Sequence, residues 1–341
     1  MPLPRRNGII AGGNWIVDHI KLLDNWPEQD ALTSILGECS SNGGSPYNIL
    51  KALARLGASF PLEAVGLVGD DANGSAILAD CRQHGIDTHQ LRVSQEGATS
   101  YTDVMTVKSS GRRTFFHHRG ASGLLHDGQF DFLATPAKIF HLGYLLLLDQ
   151  LDLPDAAGTP RAAAVLAAAR RAGLKTSIDL VSESSNRFQR VILPVLPQVD
   201  CLFANDFEAE KLTSLSLRTN GKIQPSAVET AAGRLLQDGV NEVVVLHFPE
   251  AVYACTSSGL NCWQPSVCVP ASEIKGAAGA GDALAAGVLY GLHEEWPIPE
   301  CLRLGVCVAA TSLYHPTCSD GIPSLPAALA LGRKLGYRSL P

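Results

Sequence analysis

Residues 273–292 read "EIKGAAGAGDALAAGVLYGL". Leu284, Val288 and Leu292 recur every four positions, which predicts an apolar helix starting near Asp282. Gly276, Gly279 and Gly281 crowd the mouth of that helix. Each glycine inside a helix costs roughly 0.5–1 kcal/mol relative to alanine, so packing alone does not explain them. The first helical N–H groups point out through Gly279, Ala280 and Gly281, where the positive end of the helix dipole also lies. Such a turn accepts an anion, commonly phosphate, and bare glycine lets the anion reach the backbone. Asp282 then adds a second negative charge beside the anion. That arrangement suits a carboxylate that takes the proton of an attacking hydroxyl. The same residues also fit an N-cap aspartate after a flexible loop. The turn is not a Walker loop, because no G-x-x-x-x-G-K-[ST] is present.

Outward from this helix, short apolar runs alternate with helical stretches. Residues 8–13, 62–69, 138–145, 175–181, 200–205 and 241–248 read as buried strands. Residues 46–57, 74–85, 159–173 and 225–239 carry helical spacing, and most close on glycine. This rhythm predicts an α/β fold with a mostly parallel sheet and helices on both faces. Residues 15–42 and 97–120 break the rhythm with polar, alternating patterns and a turn at 109–111. They read as half-exposed antiparallel strands, a small β lid built from two insertions. The 341 residues are taken as one domain carrying this lid.

The net charge of −6 and the scattered Lys and Arg argue against a nucleic-acid or anionic-membrane partner. No apolar run approaches the roughly 18 residues that cross a bilayer. The opening "MPLPRRNGIIAGGN" lacks a leader's apolar segment. Nine cysteines form no C-x-x-C pair, which points to free thiols in a reducing cytoplasm rather than to a zinc cluster.

Four motifs follow one order along the chain: "GGSPYNILKALARLG" (43–57), "VGLVGDDANG" (65–74), "NDFE" (205–208) and "GAGDA" (279–283). Together they resemble the PfkB/ribokinase family of carbohydrate kinases over about residues 8–326, and the two lid segments fall where that family has its lid. The resemblance implies ATP- and Mg²⁺-dependent phosphorylation of a hydroxyl on a small sugar or related polyol. It makes Asp282 the general base, and Gly279, Ala280 and Gly281 the anion hole. Asn205 and Glu208 match an N-x-x-E element that orders Mg²⁺ through water around the nucleotide phosphates. Gly43, Gly44 and Asn48 match a substrate-contacting stretch, and Asp18 in "GNWIVD" an early acid that grips hydroxyls. A carboxylate accepts hydrogen bonds from two neighbouring hydroxyls, which suits a polyol. His117 and His118 are neighbours on a strand, so at most one faces the sugar. Relatives often pair through exposed lid edges, so a lid-to-lid homodimer is the candidate assembly.

The chain departs from the family pattern twice. Gly276, Ala277 and Ala278 stand where most members carry Asp-Thr before the glycine turn, so activation by K⁺ is doubtful. Leu246, His247, Phe248 and Pro249 replace a Thr-Leu-Gly stretch near the nucleotide and reshape that loop. The competing readings are a nucleoside kinase of the same family and a silent sugar- or nucleotide-binding sensor. Asn48 as a helix cap, and Asn205–Glu208 as a turn with a solvated glutamate, are the bland alternatives for those positions.

Overall fold

The structure, a computed structural model, describes residues 6–341; residues 1–5, the start of the opening stretch read above, lie outside the described residues. The first half of the chain runs β1 (Ile9–Gly13), β2 (Ile16–Leu23), β3 (Ile35–Gly43), α1 (Ser45–Leu56), β4 (Leu62–Gly69), α2 (Ala72–Gln83), β5 (Asp87–Ser94), β6 (Ser100–Val107) and β7 (Arg113–His118). Next come β8 (Ile139–Leu145), α3 (Asp149–Asp152), α4 (Arg161–Arg171), β9 (Lys175–Leu180), α5 (Phe188–Ile192), β10 (Cys201–Asn205) and α6 (Asp206–Thr213). The chain continues through the short pair β11 (Arg218–Thr219) and β12 (Lys222–Ile223), then α7 (Pro225–Gln237), β13 (Val243–His247), β14 (Ala251–Thr256) and β15 (Asn261–Pro265). Helices α8 (Ala280–His293), α9 (Ile298–Ser312) and α10 (Leu325–Leu335) complete it.

The main sheet has nine strands in the order β15-β14-β13-β10-β9-β8-β1-β4-β5. Pairing is parallel from β13 to β5, and β14 and β15 add an antiparallel edge. The six runs read as buried strands are β1, β4, β8, β9, β10 and β13, and the four helical stretches are α1, α2, α4 and α7. Those strands read as continuous apolar runs because both of their faces are covered. On one face Leu166, Val191, Leu212 and Leu235 of the helices pack with Ile178, Leu202 and Val244 of the sheet. On the other, Leu50, Leu53, Leu289 and Val306 pack with Ile9, Phe203 and Val245.

The lid is a second sheet of four strands in the order β3-β2-β6-β7. Its strands β2 and β3 interrupt the passage from β1 to α1, and β6 and β7 that from β5 to β8, so two insertions build it. Trp15 pins its root: the side chain is fully buried and donates from Nε1 to the Val65 carbonyl at 2.9 Å. Among the described residues no helix is long and apolar enough to cross a membrane.

Candidate active site

The chain passes from β1 to β4 and β5 on one side, then returns to β8, β9, β10 and β13 on the other. Open α/β sheets bind ligands outside the carboxyl ends of their strands at such a reversal. Polar residues gather at those ends here: Asn14 after β1, Tyr144 in β8, Asp179 in β9, Asn205 in β10 and His247 in β13. A cavity of about 700 Å³ lies above them and beneath the lid. That volume lies within the usual range of small-molecule sites.

Helix α8 begins at Ala280, two residues earlier than its apolar spacing suggests. Gly279 is the N-cap, at φ 71°, and Asp282 falls in the first turn, so it does not cap the helix. A side chain at Gly279 would run into Cys318 as well as strain the backbone. The Ala280 N–H turns back to the Ala277 carbonyl at 3.4 Å, whereas those of Gly281 and Asp282 have no protein partner among the described residues. Asp282 is 4% exposed. It accepts from Asn48 Nδ2 at 2.7 Å and from the Tyr144 hydroxyl at 2.8 Å to each oxygen. Burial, and then the charge of Asp179, push its carboxyl well above the usual carboxylate range against the pull of those two donors. Burial likewise raises the Tyr144 phenol, which keeps its proton and stays a donor.

On the lid side, Asp18 faces the same cavity from β2, and burial pushes it up to about 7. Gly43 lies directly against its carboxylate, where a Cβ would collide with Oδ2, and Cys318 Sγ sits 4.0 Å from the same oxygen. Gly44 is the N-cap of α1 at φ 92°, packed on the Asn14 carbonyl. Asn48 lies inside α1 and does not cap it; its Oδ1 is buried without a hydrogen-bond partner. Of the two neighbouring histidines, His117 lines the cavity with Nδ1 3.0 Å from Thr102 Oγ1. His118 turns away and stacks on Tyr101.

At the opposite end, Asn205 and Glu208 form a reciprocal capping box at the start of α6. Asn205 Oδ1 accepts from the Glu208 N–H, and Glu208 Oε2 from the Asn205 N–H, both at 2.9 Å. Ser182 joins them, accepting from Asn205 Nδ2 at 2.8 Å and donating to Glu208 Oε1 at 2.9 Å. Glu208 is buried, not solvated, and burial pushes its carboxyl up to about 7. Each of its oxygens keeps one lone pair free to accept from a further donor such as a water. No cluster of three or more acidic, His or Cys side chains able to hold a metal occurs among the described residues. The departures flagged in 246–249 resolve unevenly: Leu246 and Phe248 are core, while His247 faces the cavity beside Gly281. Burial holds the His247 imidazole down to about 4, so the ring is neutral.

Three lining residues carry no motif of their own. Tyr144 and Asp179 sit in stretches legible only as strands, and Arg113 in a lid segment legible only as half-exposed strand. Asp179 Oδ2 accepts from Ser45 Oγ at 2.8 Å, and His141 Nε2 lies 3.0 Å from the same hydroxyl. A polar residue ending an otherwise apolar strand was the available signal for the first two.

A lidded α/β sheet that brings a helix N-terminus and a buried carboxylate to one cavity can hold an anion beside a proton acceptor. A model of the "pfkB family carbohydrate kinase" matches residues 38–325. A 5-dehydro-2-deoxygluconokinase of Geobacillus thermodenitrificans is 26% identical over 293 residues, covering 83% of this chain and 81% of the relative. An ATP-dependent ribose-1-phosphate kinase of Halopiger xanaduensis is 28% identical over 330 residues, 97% of this chain and 98% of the relative. The structure of Arabidopsis thaliana ribokinase complexed with ribose and ATP superposes with a TM-score of 0.73 at 19% identity, over 96% of this chain and 98% of that one. The chain belongs to the pfkB family of carbohydrate kinases and is a phosphotransferase.

Proposed function

We propose that the protein transfers the γ-phosphoryl group of ATP to a hydroxyl of a small sugar or related polyol, with Asp282 as general base. The observation that carries this reading is the pairing of a buried carboxylate with unpartnered helix N–H groups one residue away. Asp18, and Asn48 through its free Oδ1, would hold sugar hydroxyls, with Gly43 and Gly44 giving the sugar access to the backbone. The reacting hydroxyl gives its proton to Asp282 as its oxygen bonds phosphorus, and ADP leaves. Tyr144 and Asn48 keep the carboxylate aimed during that transfer. The unpartnered N–H groups of Gly281 and Asp282, at the end of the Gly279–Gly281 turn, would meet the charge on the transferred group's oxygens.

Mg²⁺ bound with the nucleotide would neutralise phosphate charge. Asn205 and Glu208 are the residues that would hold its waters. The chain acts as one catalytic unit, in which the four-stranded lid excludes water from the reacting centre. Nothing in the Gly276–Ala278 side chains supplies a ligand for K⁺, and turnover should not require it. The lid's unpaired edges β3 and β7 suit a homodimer, which sedimentation velocity would report. Free thiols at all nine cysteines fit a reducing compartment, the cytoplasm in our reading.

The deciding experiment is coupled ADP release with ATP and Mg²⁺ over a panel of sugars, with and without K⁺, alongside Asp282→Asn. That variant should lose on the order of 10²–10⁴-fold in turnover, the worth of a positioned base. Wild-type-like turnover in Asp282→Asn would remove Asp282 from the mechanism.

A further inference from the structure

Arg113 opens β7 on the lid, and its side chain lines the cavity together with Asp18, Thr102, His117 and Cys318. The lid residues share one face: Thr102 pairs with His117 and with Asp18 in register, and Arg113, opposite Thr106, is four pairs from His117 along β7 and so on the same face. The guanidinium lies over the Phe115 ring, 5.8 Å from its centroid. Burial lowers its proton affinity.

Five carboxyl groups line the same cavity, yet none forms an ion pair with Arg113 among the described residues. Each has other company. Glu183 accepts from Arg187 at 3.0 Å, Asp179 from Ser45, Asp282 from Tyr144 and Asn48, and Glu208 from Ser182 and its own capping box. Asp18 meets Cys318. Arg113 also borders a neighbouring cavity of about 440 Å³, where Lys275 and Glu38 contribute one charge of each sign. A half-buried cation with no counter-charge bears a desolvation cost that an anion arriving from outside would offset. His117 adds a second unused group: its Nε2 is buried and has no hydrogen-bond partner, and the ring is neutral.

We propose that Arg113 selects sugars bearing an anionic group, a carboxylate or a phosphate, held by its guanidinium with His117 Nε2 alongside. The inference rests on the sugar-kinase reading and narrows its substrate class. The reacting hydroxyl must reach Asp282 while the anion meets Arg113 on the lid, so the anionic group and the reacting hydroxyl stand on different carbons of the sugar. A planar guanidinium binds either anion through two parallel hydrogen bonds, which a lysine ammonium does not reproduce.

The test uses matched pairs that differ in the charged group: gluconate against glucitol, and ribose-1-phosphate against ribose. Each is assayed for kcat/KM by ADP release, and for thermal stabilisation of the full chain with a non-hydrolysable ATP analogue. The wild type should favour the anionic member of at least one pair by about 10- to 100-fold, the usual worth of a charge-assisted contact. Which pair responds separates carboxylate from phosphate. Arg113→Gln should lower the anionic arm by about the same factor and leave the neutral arm within about threefold, and Arg113→Lys should recover only part of the loss. Arg113 makes no side-chain hydrogen bond among the described residues, so the unliganded melting temperature of the variants should hold. Equal use of both members of each pair, or an equal fall in both arms in Arg113→Gln, overturns the inference. Stabilisation by an anionic sugar that Arg113→Gln abolishes, with no turnover, would uphold it while sinking the kinase reading. Equal stabilisation within both pairs would sink it whatever the turnover.

Discussion

At the scale of single residues, Asp282 is set by opposing forces. Burial and the neighbouring Asp179 favour its neutral form, and the hydrogen bonds from Tyr144 and Asn48 favour the carboxylate. The Tyr144 hydroxyl reaches both oxygens, so Tyr144→Phe removes stabilisation of the charged base without emptying the site. The apparent pKa of the base should rise, moving the acid limb of the pH–rate profile to higher pH. At neutral pH, kcat should fall about tenfold, as expected for losing one hydrogen bond to a charged group. A pH profile of kcat for both proteins checks this; an unmoved limb would show that Tyr144 only fills space. Asp282, Asn205, Glu208, Asn48 and Asp18 were all legible in the sequence, because their neighbours in the chain carry motifs. Tyr144, Asp179 and Arg113 were not. Their place in the cavity comes from strand register and from what the fold brings beside them, which is long-range information no local spacing holds.

At the scale of elements, the two helices that meet in the site, α1 and α8, both start on glycines with positive φ: Gly44 at 92° and Gly279 at 71°. Neither end has a side-chain cap. At Gly44 a Cβ would collide with the Asn14 carbonyl, which belongs to the link between β1 and the lid. Gly44→Ala therefore combines an unfavourable backbone conformation with a contact against atoms that cannot turn aside. It should cost about 1–3 kcal/mol in urea unfolding, and shift Asn48, which lies one turn further into α1. A midpoint equal to the wild type would mean that the β1–α1 junction yields more readily than its packing implies. Elements buried on both faces were the most legible, since covered strands are apolar throughout. The strands β5, β14 and β15 were not singled out: β5 reads "DTHQLRVS" with six of its eight residues polar, and β15 "NCWQP" is a half-buried edge. Edge strands follow no single hydrophobic period, because one side meets solvent and the other a neighbour.

At the scale of the whole molecule, the proposed reaction needs charge where the fold would prefer none. Asp18 and Glu208 are each pushed up to about 7, and Asp282 is raised with them, all chiefly by burial in one cavity. A carboxyl whose folded pKa exceeds its unfolded value binds more protons in the folded state across that interval. Its contribution to stability is therefore complete below the unfolded pKa and is lost as pH rises through the folded one. For Asp18 the window runs from its ordinary 3.8 to about 7. The roughly three-unit shift sets a ceiling of about 4 kcal/mol on what ionisation removes. Asp18→Asn keeps the shape and abolishes the titration, so it should stabilise the unliganded protein at pH 8 and change little at pH 4. The difference between the two proteins in thermal unfolding should open progressively between those pH values. With Asp18 in its proposed role, sugar affinity in the variant should fall, since an amide would replace a carboxylate able to accept from two hydroxyls. Unfolding curves of the two proteins that run parallel from pH 4 to 8 would show that Asp18 titrates at its ordinary value. A stabilised variant that loses affinity would show instead that the empty site carries a stability cost which the bound sugar offsets.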